Sequence, residues 1–364
     1  MVVTIIINKS YHGVMTDSAA PTVRRVRTVL ATAAVLTTGV LGLAACATPG
    51  ATPGAGGGAA GGPTIVATTT HVGDFTRELV GETAEVTQLL AAGQSAHGFD
   101  PSAAQLLALA DADALVINGA GLESWLDDAM GASGFDGVLI DASTGIELYG
   151  TGDHDDEHAD EATAVEADEH DPADGNPHIW TDPELAEHMV ENIAAGLATV
   201  PGIDTAAVDA NEAAYLDHLG ALDAWIEENV AEVPVGERLL VTNHDAFTYF
   251  LDAYDVTFVG SIIPSFDDNA EPSAAEIDEL VANIRATGVE AVFSEASISP
   301  KAAETIAREA GVTVYSGEDA LYGDSLGAPG TEGATYLGSQ IHNVRLILES
   351  WGVEPSPLPA VLQG

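Results

Sequence analysis

Cysteine occurs once in the 364 residues, at Cys46. A single thiol excludes disulfide frameworks and every cysteine-rich zinc or iron–sulfur site, so any metal chemistry must rest on His, Asp and Glu. Basic residues are nearly as scarce: 10 Lys and Arg stand against 57 Asp and Glu, a formal charge of −47. That balance excludes nucleic-acid binding, which needs clusters of cations on the phosphates, and it excludes electrostatic docking on anionic lipid. Long apolar runs are missing too. The stretch from Thr28 to Leu43 is 16 residues, short of the ~20 that a spanning helix needs. What is present is a chain 46% hydrophobic, long enough for about two domains on a prior of roughly 100–200 residues each.

Arg24, Arg25 and Arg27 precede that apolar run, which ends in Leu43-Ala44-Ala45-Cys46. A basic segment, a short apolar segment and small residues at the cleavage point form a secretory signal. Residues 1–45 are expected to be the signal peptide, with Met15 a more ordinary start than Met1. Leu-Ala-Ala-Cys resembles the bacterial lipobox, which implies that Cys46 is lipidated and leads the mature chain. Residues 46–63 then form a flexible, Gly-rich tether, reaching roughly 20–25 Å. The protein is therefore expected outside the cytoplasm, lipid-anchored to the cell membrane. Without residues 1–45 it has 6 Lys and Arg against 56 Asp and Glu, a formal −50, a charge that draws cations toward it.

From Thr64 short apolar runs alternate with helical patterns. Strands are predicted at 65–67, 86–90, 114–117, 138–140, 239–242, 257–263, 291–293 and 312–315. Such alternation reads as βα units with parallel sheets. Asp100-Pro101-Ser102-Ala103-Ala104 and Glu271-Pro272-Ser273-Ala274-Ala275 open similar helices, with each proline expected in the first turn. The expected fold is α/β: two similar lobes, residues 64–203 and 234–364, joined by a linking helix at 204–233. Over Asp204 to Glu232, Tyr215, Leu219, Leu222, Ile226 and Val230 recur at helical spacing. A helix of that length is about 43 Å long and would be a stiff strut. Residues 153–171 hold ten acids and three histidines, His154, His158 and His170. With no apolar period they read as a surface loop, either a solvated insertion or a weak collector of metal ions.

His97, His178, His244 and Asp324 stand out because each follows a predicted strand or precedes a helix, where parallel α/β sheets bind ligands. Their surroundings are HGFDP, NPHIWTDP, VTNHDAFTYF and LYGDSLGAPGTEGATYLG. These four segments, in this order and behind a lipobox, resemble the motif regions of the cluster A-I solute-binding proteins, the zinc or manganese receptors of bacterial ABC transporters. The resemblance runs from about Thr64 to Trp351. It implies that His97, His178, His244 and Asp324 are the metal ligands in a cleft between the lobes. It also implies an ABC permease with its ATPase as partners, a zinc chaperone as a further one, and a monomeric receptor.

Three neutral imidazoles and one carboxylate suit tetrahedral Zn²⁺ at about 2.0–2.2 Å, and affinity order favours zinc over manganese, so Mn²⁺ is the second choice. A surface zinc buffer or adhesin on the same fold is the other alternative. A hydrolase is not expected, because catalytic zinc keeps an open corner and no HExxH motif is present. His71 departs from the family pattern. It is expected at the end of the first strand, an accessory residue that is hydrogen-bonded or exposed rather than a ligand. Glu295 is expected as an accessory wall residue near the cleft mouth, and His188, His218 and His342 as solvent-facing.

Overall fold

The computed structural model describes residues 62–149, 175–265 and 270–363. The expected signal peptide, Cys46 and the expected tether up to residue 61 lie outside the described residues, as does the segment with His154, His158 and His170. Among the described residues no helix is long and apolar enough to cross a membrane.

The first half runs β1 (Thr64–Ala67), α1 (Thr70–Val80), β2 (Glu85–Gln88), α2 (Ala103–Ala110), β3 (Ala114–Ile117), α3 (Leu126–Ser133) and β4 (Val138–Asp141). Its strands form one parallel sheet in the order β2-β1-β3-β4. The two inner strands are the unbroken apolar runs, Ile65 to Ala67 and Ala114 to Ile117, all buried. A parallel sheet covered on both faces demands that pattern in place of alternation.

Next come α4 (Pro183–Leu197) and α5 (Thr205–Val230). Asp204 caps α5 by accepting from the Ala207 N–H at 3.2 Å, so the helix has 26 residues and is about 39 Å long. All five apolar residues picked out by spacing are buried along it. It packs on α1 and α4.

The second half runs β5 (Leu239–Thr242), α6 (Thr248–Ala253), β6 (Thr257–Ser261), α7 (Ala274–Thr287), β7 (Ala291–Phe293), α8 (Lys301–Ala310), β8 (Thr313–Tyr315) and α9 (Tyr336–Ser350). Its pairings are parallel as well, but they form two separate pairs, β5-β6 and β7-β8. β5-β6 carries a register shift between Leu240 and Val241. β2 and β6 stop two residues short of their expected ends, although Leu90 still donates to Thr68 and Ile263 to Asn243. α9 packs against α5 and α1. One apolar core therefore runs from the first sheet through α4 and α5 to α9, while a smaller one gathers around α7 and α8 and reaches Val241 on β5.

The two similar helix openings differ from expectation. α2 and α7 begin after the prolines, because Ser102 and Ser273 are N-caps in capping boxes with Gln105 and Glu276. Each serine hydroxyl accepts from the third helical N–H, and the Gln or Glu side chain accepts from the serine N–H, so two orphan donors are satisfied at once.

Candidate functional site

His97 lies between β2 and α2, His178 just before the turn that enters α4, His244 between β5 and α6, and Asp324 in the loop after β8. The structure brings these four side chains together, each offering one donor atom and all donors within 4.8 Å of one another. The Nε2 atom of His178 is 3.2 Å from that of His97 and 3.3 Å from that of His244. Asp324 Oδ1 is 3.0 Å from the Nε2 atoms of both His178 and His244. The edge of a tetrahedron around Zn²⁺ with bonds of ~2.0–2.1 Å is roughly 3.3–3.4 Å. The separations among His178, His244 and Asp324 Oδ1, and that between His178 and His97, are close to this edge, while His97 Nε2 is 3.7 Å from Asp324 Oδ2.

Two of the imidazoles are aimed from behind. His178 Nδ1 donates to Asn176 Oδ1 at 2.7 Å. The Asn176 amide in turn donates to the Asp245 carbonyl and to Thr248 Oγ1, both at 2.9 Å, which fixes the oxygen toward His178. His244 Nδ1 donates to Glu295 Oε1 at 2.6 Å. In the neutral ring a proton held on Nδ1 leaves the Nε2 lone pair facing the centre, which is how outer partners prepare a histidine for a metal. Glu295 is not at the cleft mouth as expected; it is buried behind His244. A Cβ on Gly323 would meet Glu295 Oε2 at 2.0 Å, so any side chain there would push against the carboxylate that holds His244. The Asp324 loop is pinned further by Trp180 Nε1 donating to the Gly323 carbonyl at 3.0 Å, Leu326 N–H donating to Thr70 Oγ1 at 2.9 Å and Gly93 N–H donating to Ser325 Oγ at 2.8 Å.

Electrostatics follow from burial. His178 and His244 are fully buried and Asp324 nearly so, while His97 stands at the edge. Burial lowers the pKa of His178 despite the pull of Asp324. At His244 burial acts the same way, but Asp324 and Glu295 together outweigh it and raise the pKa well above the ordinary value. Asp324 is held well below the usual carboxylate range because His244 and His178 overcome its burial.

His71 is not where the sequence placed it. β1 ends at Ala67, Thr69 caps α1, and His71 lies in the first turn of that helix. It is fully buried, not exposed, and it stacks on Trp180 with centroids 4.6 Å apart. Neither of its ring nitrogens has a hydrogen-bond partner. It stands outside the four-residue cluster. Burial drives its pKa down to about 3, so the ring is neutral. His188 is exposed on α4 as expected. His342 is not solvent-facing: its side chain is only 10% exposed, and Nε2 donates to the Ala320 carbonyl at 3.0 Å.

The orienting role of Asn176 escaped the sequence reading, although it stands two residues before His178 in the NPHIW segment. A polar residue of fixed donor and acceptor geometry beside a candidate ligand is the signal that could have found it.

The family model described as zinc-uptake complex component A, periplasmic (ZnuA), matches residues 65–350. Among curated relatives, the manganese-binding lipoprotein MntA of Halalkalibacterium halodurans is 28% identical over 77% of this chain and 85% of that protein. The zinc-binding lipoprotein AdcA of Streptococcus pneumoniae is 31% identical over 68% of this chain, which spans about half of AdcA (48%). The periplasmic zinc binding protein TroA from Treponema pallidum is similar in structure, with a TM-score of 0.69 and 25% identity, covering 80% of this chain and 99% of TroA.

Proposed function

We propose, from the premise that this chain belongs to the ZnuA family of zinc-uptake components, that it captures Zn²⁺ outside the cytoplasm and hands it to a membrane ABC permease driven by its ATPase. The observation that carries this reading is the convergence of His97, His178, His244 and Asp324 into one cluster of donor atoms. Three nitrogens and one oxygen form a borderline donor set that suits zinc, whereas Mn²⁺ prefers oxygen-rich, higher coordination. With all four corners supplied by the protein, none is kept for the water that a zinc hydrolase activates. The ion is cargo, to be held and released.

Elemental analysis of protein purified without added metal, followed by Zn²⁺/Mn²⁺ competition, tests the reading. One zinc per chain is expected, with zinc displacing manganese. A His178→Ala variant should lose zinc affinity by more than the roughly 10- to 100-fold that removal of an outer partner costs. Unchanged affinity in the folded variant would remove His178 from the site, and preferential retention of manganese would make this a manganese receptor.

Cys46 provides the membrane attachment in this reading, because Leu43-Ala44-Ala45-Cys46 ends the signal-like leader. Intact-mass measurement of native material should find a chain beginning at a lipid-modified Cys46; an unmodified cysteine there would refute the anchor.

A further inference from the structure

Among the buried polar atoms around the candidate site that lack a hydrogen-bond partner, which include Glu295 Oε2 and Asn243 Oδ1, are both ring nitrogens of His71 and the second oxygen of Asp324, Oδ2. Such orphans are rare in folded proteins and call for an explanation. They flank the same loop. Thr70, the neighbour of His71, accepts from the Leu326 N–H at 2.9 Å. Trp180, on which His71 stacks, donates to the Gly323 carbonyl at 3.0 Å. The residues either side of Asp324 are therefore gripped by the neighbours of His71. Oδ2 itself is 3.7 Å from His97 Nε2, beyond hydrogen-bond distance, whereas Oδ1 already faces His178 and His244. A small turn of the carboxylate would bring Oδ2 onto the ion as a second oxygen donor.

We propose that His71 is a positioning residue for Asp324: through one bridging water its imidazole holds Oδ2 back from the ion, keeps the carboxylate monodentate, and so favours four-coordinate Zn²⁺ over Mn²⁺. The inference rests on the zinc-capture reading above. A water is the link proposed because it donates to a carboxylate and can meet either tautomer of a neutral imidazole. Asp324 is also the residue whose charge acts most strongly on His71. The effect on selectivity follows from coordination number. A monodentate carboxylate completes a tetrahedron, while a bidentate one adds an oxygen donor and moves the site toward the oxygen-rich, higher coordination that manganese prefers.

The test compares wild type with His71→Phe, which keeps a ring stacked on Trp180 but has no nitrogen, and with His71→Gln, which keeps a polar group that can donate and accept. Zn²⁺ and Mn²⁺ affinities are measured by competition, and Co²⁺ absorption reports coordination number. The Phe variant should lower the zinc-over-manganese ratio by about 10- to 100-fold and weaken the visible Co²⁺ bands as coordination rises above four. The Gln variant should recover most of both. An unchanged ratio and Co²⁺ spectrum in folded His71→Phe would overturn the proposal. So would X-ray absorption finding one more imidazole on zinc in the wild type than in that variant, since His71 would then be a ligand. Should the Phe variant not fold, His71→Met provides the same comparison. If wild type itself takes no zinc, the zinc-capture reading falls first and this proposal with it.

Discussion

Glu295 and Asp324 face the two ring nitrogens of one histidine, His244, and this sets how the site responds to pH. Because His244 Nδ1 already donates to Glu295, the proton that titrates is the one on Nε2, the atom facing the other donors. Asp324 and Glu295 raise the His244 pKa well above the ordinary value, so in the metal-free protein Nε2 stays protonated beyond the pH at which a free histidine would release its proton. An entering ion must displace that proton. Zinc affinity should therefore rise with pH across neutrality, about tenfold per unit for one displaced proton, and level off only above the raised pKa. The ordinary value of about 6.5 would confine the loss of affinity to acid below about pH 6. Replacing Glu295 with Gln removes one of the raising charges and should move the whole dependence to lower pH. Zinc competition assays over a pH series decide this; a flat profile above pH 6.5 would show that His244 is not protonated there. The four candidate ligands were legible in the sequence because each sits in a segment bounded by strand or helix signals. Their outer partners were less so. His244 and Glu295 are 51 residues apart in sequence, and nothing local announces the pairing.

Among the elements, the buried carboxyls that join them have a thermodynamic cost. Asp74 on α1 accepts from the Tyr336 N–H at the start of α9 at 2.8 Å, a favourable place for a negative charge. Burial nevertheless raises its pKa to about 6, against the partial relief of that bond. Glu123, after β3, accepts from Thr68 Oγ1 at 2.6 Å and from the Asn118 and Gly119 N–H groups at 2.8 and 3.1 Å. Burial raises it to about 7. The unfolded chain releases these protons near 3.8 and 4.5, while the folded one keeps them to about 6 and about 7. Between those limits the folded state binds more protons, so stability falls as pH rises from about 4 to about 7, by roughly 3 kcal/mol per group. Melting temperature against pH should show this decline, and a double variant, Asp74→Asn with Glu123→Gln, should flatten it. An unchanged decline in that variant would assign the effect to other acids. The βα alternation was plain from apolar runs. The pairing of the second half into two small sheets was not, because three-residue strands such as β7 and β8 carry too little pattern to reveal which partner they lack.

At the scale of the whole molecule, the sequence showed the repeat of α/β units and the long helix between them. It did not show that α9 returns to pack on α1 and α5, since a helix with buried residues spread along its length can face either half. Asn176 spans the same divide in a single side chain. Its oxygen aims His178, a residue on the approach to α4, while its amide holds Asp245 and Thr248 beyond β5. Drawing the halves apart would break the amide bonds and free the imidazole to rotate, so grip and gate are worked by one motion. If the site holds zinc as cargo, the residence time of the ion would follow the separation of those two backbone segments, and a membrane partner that pries them apart would shorten it without touching the metal.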